Sequence, residues 1–150
     1  MDAKSLIGKV VKVKYHVDGL EPISQAHDSE WVDLRCAEDV ELKKGEFKTI
    51  DLGVSIALPE GYEAVLAPRS STFKNYGIIQ TNGLGVFDYL FRGNGDHWLM
   101  LVYATRDTVI HKNDRICQFR IQECQPPLNI IEVDNMEDEN RGGLGSTGVN

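Results

Sequence analysis

Three short runs in this 150-residue chain combine the residue types that phosphate chemistry needs. The pentad Ala67-Pro68-Arg69-Ser70-Ser71 offers a planar guanidinium with paired donors and two hydroxyls. A helix starting just behind it would aim free backbone N–H groups at an anion. About one strand later comes Asn82-Gly83-Leu84-Gly85-Val86-Phe87-Asp88. Gly83 and Gly85 permit close backbone approach to a flat ring, and the Asn82 amide both donates and accepts, as reading a base edge requires. Asp88 closes an apolar run, where a carboxylate could activate water as general base. The third run, Arg141-Gly142-Gly143-Leu144-Gly145-Ser146-Thr147-Gly148, follows an arginine with glycines and hydroxyls. It is not a P-loop, since no lysine follows its last glycine. Order and spacing together point to a triphosphate site with an acidic base nearby.

Taken singly, each residue has a plainer reading. Asp88 alone reads first as a turn aspartate bonding its own backbone. Phe91 could stack on a sugar or base, but alone it reads as core. Gln118 alternates with Ile116 and faces either a polar site or solvent. Serines commonly cap helices without any ligand. His16, His27, His97 and His111 are scattered and form no zinc-hydrolase pattern, and no nucleophile elbow supports serine catalysis.

The elements that must position these residues read as short strands. Val11-Lys12-Val13-Lys14-Tyr15-His16-Val17 alternates with period two, the mark of a half-buried strand. Further strands are expected over 49–54, 55–58, 62–66, 98–103, 116–121 and 129–133, broken by turns at Lys44-Gly45, Pro59-Glu60-Gly61, Asn94-Gly95 and Lys112-Asn113-Asp114. A single short helix is expected over 72–75, capped by Ser70 or Ser71 and stopped at Gly77. The fold class is therefore all-β, a jelly-roll-like barrel or sandwich with one short helix. From Asn135 the chain turns acidic and then glycine-rich, too poor in apolar area to offset ordering entropy. The expected division is a β domain over 1–134 and a flexible lid over 135–150.

A composition of 41% hydrophobic and 26% charged residues fits one globular domain, and a net charge of −7 excludes bulk affinity for nucleic acid. Binding a phosphorylated molecule then requires local cations, and a divalent metal would reconcile the charges. Cys36, Cys117 and Cys124 form no CxxC pair and read as reduced thiols of a cytoplasmic protein. Residues 1–8 lack the apolar run of a signal peptide, and no stretch reaches membrane-spanning length.

Together these runs resemble the five ordered motifs of the trimeric dUTPases. Trp31-Val32-Asp33-Leu34-Arg35 resembles the first, Pro68-Arg69-Ser70-Ser71 the second, residues 82–93 the third, 113–118 the fourth and 141–148 the fifth. The resemblance implies a jelly-roll protomer, a homotrimer with sites shared between chains, Mg2+ as cofactor, and hydrolysis of dUTP to dUMP and pyrophosphate. By carry-over, Asp88 activates the water, and Asn82 with the adjacent backbone of Gly85 and Val86 reads uracil. Phe91 stands where the family has a tyrosine and packs on the deoxyribose. Arg69, Ser70, Ser71 and Gln118 hold phosphates, and Asp33 places the metal through water. Arg141, Leu144, Gly145, Ser146 and Thr147 close over the substrate. The chain departs from the family at Trp31 and Ser71, where glycines are usual, and at Leu144, where an aromatic is usual. Residues 93–97 form a slightly longer segment, and Arg141 sits closer to the glycine pair. Two other functions suit the same fold: a dCTP deaminase, or a nucleotide-gated binding protein with a regulatory protein partner.

Overall fold

The computed structural model describes residues 8–145. Among them the order is β1 (Lys12–Tyr15), β2 (Val32–Arg35), β3 (Val40–Leu42), β4 (Phe47–Asp51), β5 (Val54–Ala57), β6 (Tyr62–Pro68), α1 (Thr72–Tyr76), β7 (Ile78–Gln80), β8 (Gly85–Phe87), β9 (Leu99–Ala104), β10 (Thr108–Ile110) and β11 (Arg115–Glu123). Every described pairing is antiparallel. The strands form sheets β1-β5, β10-β3, β2-β11-β6-β8 and β4-β9-β7. The fold is all-β with one short helix, a jelly roll as expected.

Side-chain alternation explains why these segments pair. In β9, Met100, Val102 and Ala104 point inward while Tyr103 faces out. The inner faces meet around Trp98, which is fully buried. Phe87 stacks on it at 4.0 Å between centroids, and Phe119 meets it edge-on at 5.1 Å. Such aromatic contacts add to the area they bury.

One expected strand is absent. Residues 129–133 join no ladder, and Ile130, Ile131 and Val133 are 85%, 71% and 61% exposed. Alternating apolar residues become a strand only beside another strand, and the described chain offers this segment none. Conversely, β3, β7 and β10 have only three residues each, too short for periodicity to reveal. No helix among the described residues is long and apolar enough to cross a membrane.

The segment at 93–97 is tied down by histidines. His16 stacks on His97 at 3.8 Å with rings 10° apart. His16 Nε2 lies 2.7 Å from Ser55 Oγ, which donates to the Asp96 carbonyl at 2.8 Å. His97 Nδ1 lies 3.1 Å from Asp51 Oδ2. Burial, then the neighbouring His97 and Lys14, push the His16 pKa below its usual 6.5, while Asp51 opposes them. The folded state thus prefers neutral His16, whereas the unfolded chain protonates it near 6.5. Its contribution to stability is intact above that pH and is lost as pH falls toward the folded-state value. Thermal melting from about pH 7 to about pH 5 should therefore fall less steeply for His16→Gln than for the parent. Identical slopes would show that His16 carries none of the acid sensitivity.

Candidate active site

The β6–α1 corner is built around Thr72. This buried hydroxyl accepts the Arg69 N–H at 2.8 Å and donates to the Ile116 carbonyl at 2.9 Å. It locks the corner onto β11, so the Arg69 guanidinium leaves the end of β6 in one direction. Arg69 Nε lies 3.1 Å from Asp33 Oδ1, and its Nη1 donates to the Arg115 carbonyl at 3.3 Å. Ser71 occupies the N-cap position, but with φ −95° and ψ −5° its hydroxyl makes no capping bond. The expected serine cap is thus right in place and wrong in mechanism. The helix has only five residues, and its first N–H is taken by the Arg69 carbonyl, so the dipole term is small. Gly77 ends α1 at φ 64°, as expected, its N–H bonded to the Phe73 carbonyl.

Pairing brings the next residues alongside. Gln118 lies opposite Asp33 on β2 and Ala67 on β6. Its Nε2 donates to the Pro68 carbonyl at 3.0 Å. Asp33, Arg69 and Gln118 thus share the end of the sheet where β6 turns into Ser70 and Ser71. The Asp33 carboxylate also lies 3.4 Å from Arg115 Nη1, a residue absent from the sequence-derived site.

The segment from β7 to β8 forms a second feature. Buried Gln80 donates through Nε2 to the Leu66 carbonyl at 3.0 Å and the Gly83 carbonyl at 3.2 Å, stitching the turn to β6. Sequence reasoning missed Gln80, although an amide alternating into a buried position was a usable signal. Gly83 adopts φ 64° in this turn. A Cβ on Gly85 would lie 3.0 Å from Leu66 Cβ, so only glycine lets β8 approach this closely. β8 is the last strand of its sheet, leaving its outer backbone groups unpaired by that sheet. Asn82 is exposed at the turn, and Val86 and Asp88 lie outward on the face opposite Gly85 and Phe87.

Asp88 follows β8 directly. Its carboxylate accepts no side-chain hydrogen bond and forms no ion pair among the described residues, and its carbonyl accepts the Phe91 N–H at 3.0 Å. The side-chain turn that sequence suggested for it is not formed. Phe91 is part-exposed and lies 5.9 Å from Phe87 between ring centroids.

These groups do not meet within one chain. Phe87 pairs with Ala64, so Asp88 lies beside the start of β6, whereas Arg69 lies beyond its end. Six residues of extended strand separate the two positions by about 20 Å. Arg141, Leu144 and Gly145 lie in an exposed stretch, while Ser146 and Thr147 fall outside the described residues. No three metal-binding side chains cluster among the described residues. The carboxylate at this end of the sheet, Asp33, is paired with Arg69 and Arg115; a Mg2+ that keeps its waters and takes substrate oxygens needs only one such carboxylate, not an all-protein cage.

Comparison with known proteins agrees with this architecture. The dUTPase family model matches residues 25–148. The chain is 52% identical over 139 residues to an SPbeta prophage-derived deoxyuridine 5'-triphosphate nucleotidohydrolase of Bacillus subtilis, covering 93% of this chain and 98% of that one. It is 38% identical over 118 residues to the deoxyuridine 5'-triphosphate nucleotidohydrolase of Thermobifida fusca, covering 77% of this chain and 65% of that one. Among solved structures, a Staphylococcus bacteriophage 80alpha dUTPase mutant with dUpNHpp superposes with TM-score 0.77 at 20% identity, covering 93% of this chain and 99% of that one. A dUTPase mutant from phage phi11 of S. aureus, whose structure reveals a structural Mg(II) ion, superposes with TM-score 0.73 at 17% identity, covering 86% and 99%. With the family model matching residues 25–148 and a relative 52% identical across 93% of it, the chain belongs to the dUTPase family.

Proposed function

We propose that this protein hydrolyses dUTP to dUMP and pyrophosphate in sites assembled from neighbouring chains of a homotrimer. The open edge of β8 and Asn82 read uracil, an imide that alternates acceptor and donor. Phe91 carries the deoxyribose and leaves no room for a 2′-hydroxyl. With the base toward Asn82 and the sugar toward Phe91, the phosphates point away from the same chain's Arg69. Arg69, Ser70, Ser71 and Gln118 of a neighbour receive them. Asp88 takes a proton from the water as its oxygen bonds the α-phosphorus. The bond from that phosphorus to the bridging oxygen breaks, and pyrophosphate leaves with the electron pair. Asp33 would hold Mg2+ through water, and the ion supplies charge neutralisation when bound. Arg141, Leu144, Gly145, Ser146 and Thr147, in the lid segment 135–150, close the site and exclude water.

The placement of Asp88 and Arg69 at opposite ends of β6 supports this reading. A general base must sit within hydrogen-bond reach of its proton. The separation of about 20 Å along the strand exceeds that reach even with a polyphosphate between them. The exposed apolar side chains of Ile130, Ile131 and Val133 likewise suit burial against another copy.

Mixed trimers test the arrangement. Asp88→Asn and Arg69→Gln should each abolish most activity alone. Co-expressed with different tags and purified through both, their hetero-trimers should regain about a third of parental activity, because one interface in each ring joins an intact Asp88 to an intact Arg69. Mixed trimers no more active than the single variants would refute sites shared between chains.

A further inference from the structure

We infer that Arg115 is a positioning residue: it holds Asp33 so that Arg69 can leave that carboxylate for the polyphosphate. This rests on the reading of the Arg69 end as the triphosphate site. A β-bulge places Arg115 there. Along β11, Ile116 and Cys117 are both fully buried, so alternation fails at that step. The ladder to β2 pairs Arg115 with Arg35 and Cys117 with Leu34, leaving Ile116 as the extra residue. In an unbroken strand Arg115 would share the core-facing side of Cys117. The bulge turns it onto the face of Asp33 and Gln118. It also sets Arg115 opposite Arg35, a like-charge pair that costs the sheet stability.

The gain is at Asp33. Its Oδ1 takes Arg69 Nε at 3.1 Å and its Oδ2 takes Arg115 Nη1 at 3.4 Å. One carboxylate therefore serves two guanidiniums, and Arg69 is partly neutralised before any anion arrives. When Arg69 turns to a phosphate oxygen, Arg115 keeps Asp33 paired. Without Arg115, Asp33 would have Arg69 as its sole side-chain partner among the described residues. Releasing Arg69 would then leave a bare carboxylate beside the phosphates. Arg115 is half-exposed and keeps donors free, so a direct phosphate contact is the alternative that the test must separate.

The experiment is a double-mutant cycle read by calorimetric binding of a non-hydrolysable dUTP analogue to the full-length protein in metal-free buffer. Arg115→Gln should weaken binding by roughly three- to tenfold, with deoxyuridine binding unchanged. In an Asp33→Asn background, the same substitution should cost nothing further, because no carboxylate remains to hold Arg69 or repel phosphate. Arg115→Lys, which keeps a cation on Asp33, should retain most of the affinity, and unchanged melting of Arg115→Gln would show an intact fold. An equal loss in both backgrounds would mean that Arg115 touches phosphate itself and would overturn the positioning role. No loss in the parental background would overturn it as well. A parent that fails to bind the analogue even after Mg2+ is added back would sink the triphosphate reading, and this inference with it.

Discussion

Asp88→Asn should lower dUTP turnover by about 10²–10⁴-fold while leaving affinity for a non-hydrolysable dUTP analogue within a few-fold of the parent. The asparagine has nearly the same shape but cannot take up the proton of the attacking water. The Asp88 carboxylate is exposed and makes no hydrogen bond or ion pair among the described residues. Its replacement therefore breaks no fold-stabilising contact, and melting should be unchanged. The loss should fall on kcat with KM nearly preserved, the pattern of an interaction made only in the transition state. Single-turnover rates of pyrophosphate release, measured beside analogue binding, separate the two. Parental turnover in the variant would remove Asp88 from the mechanism. A parallel loss of binding would instead make it a substrate ligand.

Trp98→Ala should have the largest effect on stability, about 3–5 kcal/mol, read by denaturant unfolding. Trp98 is fully buried where β8, β9 and β11 meet, stacked on Phe87 and edge-on to Phe119. An alanine there removes the platform under Phe87, which immediately precedes Asp88. Activity at temperatures where the variant remains folded should therefore fall too, through misplacement of Asp88. Trp98→Phe should cost only about 1–2 kcal/mol. The Trp98 Nε1 has no partner among the described residues, so the smaller ring gives up volume but no hydrogen bond. An alanine variant as stable as the parent would mean that the aromatic cluster does not carry the core.

Local pattern revealed much of the fold. Alternation in residues 11–17 gave away β1, and the glycine after a short polar run marked the end of α1 at Gly77. These signals lie in covalent neighbours, which a linear reading can see. It failed where pairing decides. Residues 129–133 have strand chemistry, yet no strand lies beside them in the described chain. Ser71 has cap chemistry, but Thr72 holds the corner through Ile116, a residue 44 positions away. Gln80 and Arg115 were missed for the same reason. The first matters through carbonyls of β6 and the turn, the second through a bulge that inverts its face.

The amino-acid sequence by itself determined which chemical groups are available and in what order: a base candidate at Asp88, cations and hydroxyls around Arg69, and an amide at Asn82. Types and spacing are covalent facts, and in this order they resemble one family's motifs. Only the tertiary structure decided who stands beside whom. Antiparallel pairing put Asp33, Gln118 and Arg69 at one end of the sheet and Asp88 at the other, because strand register, not sequence distance, sets which side chains are neighbours.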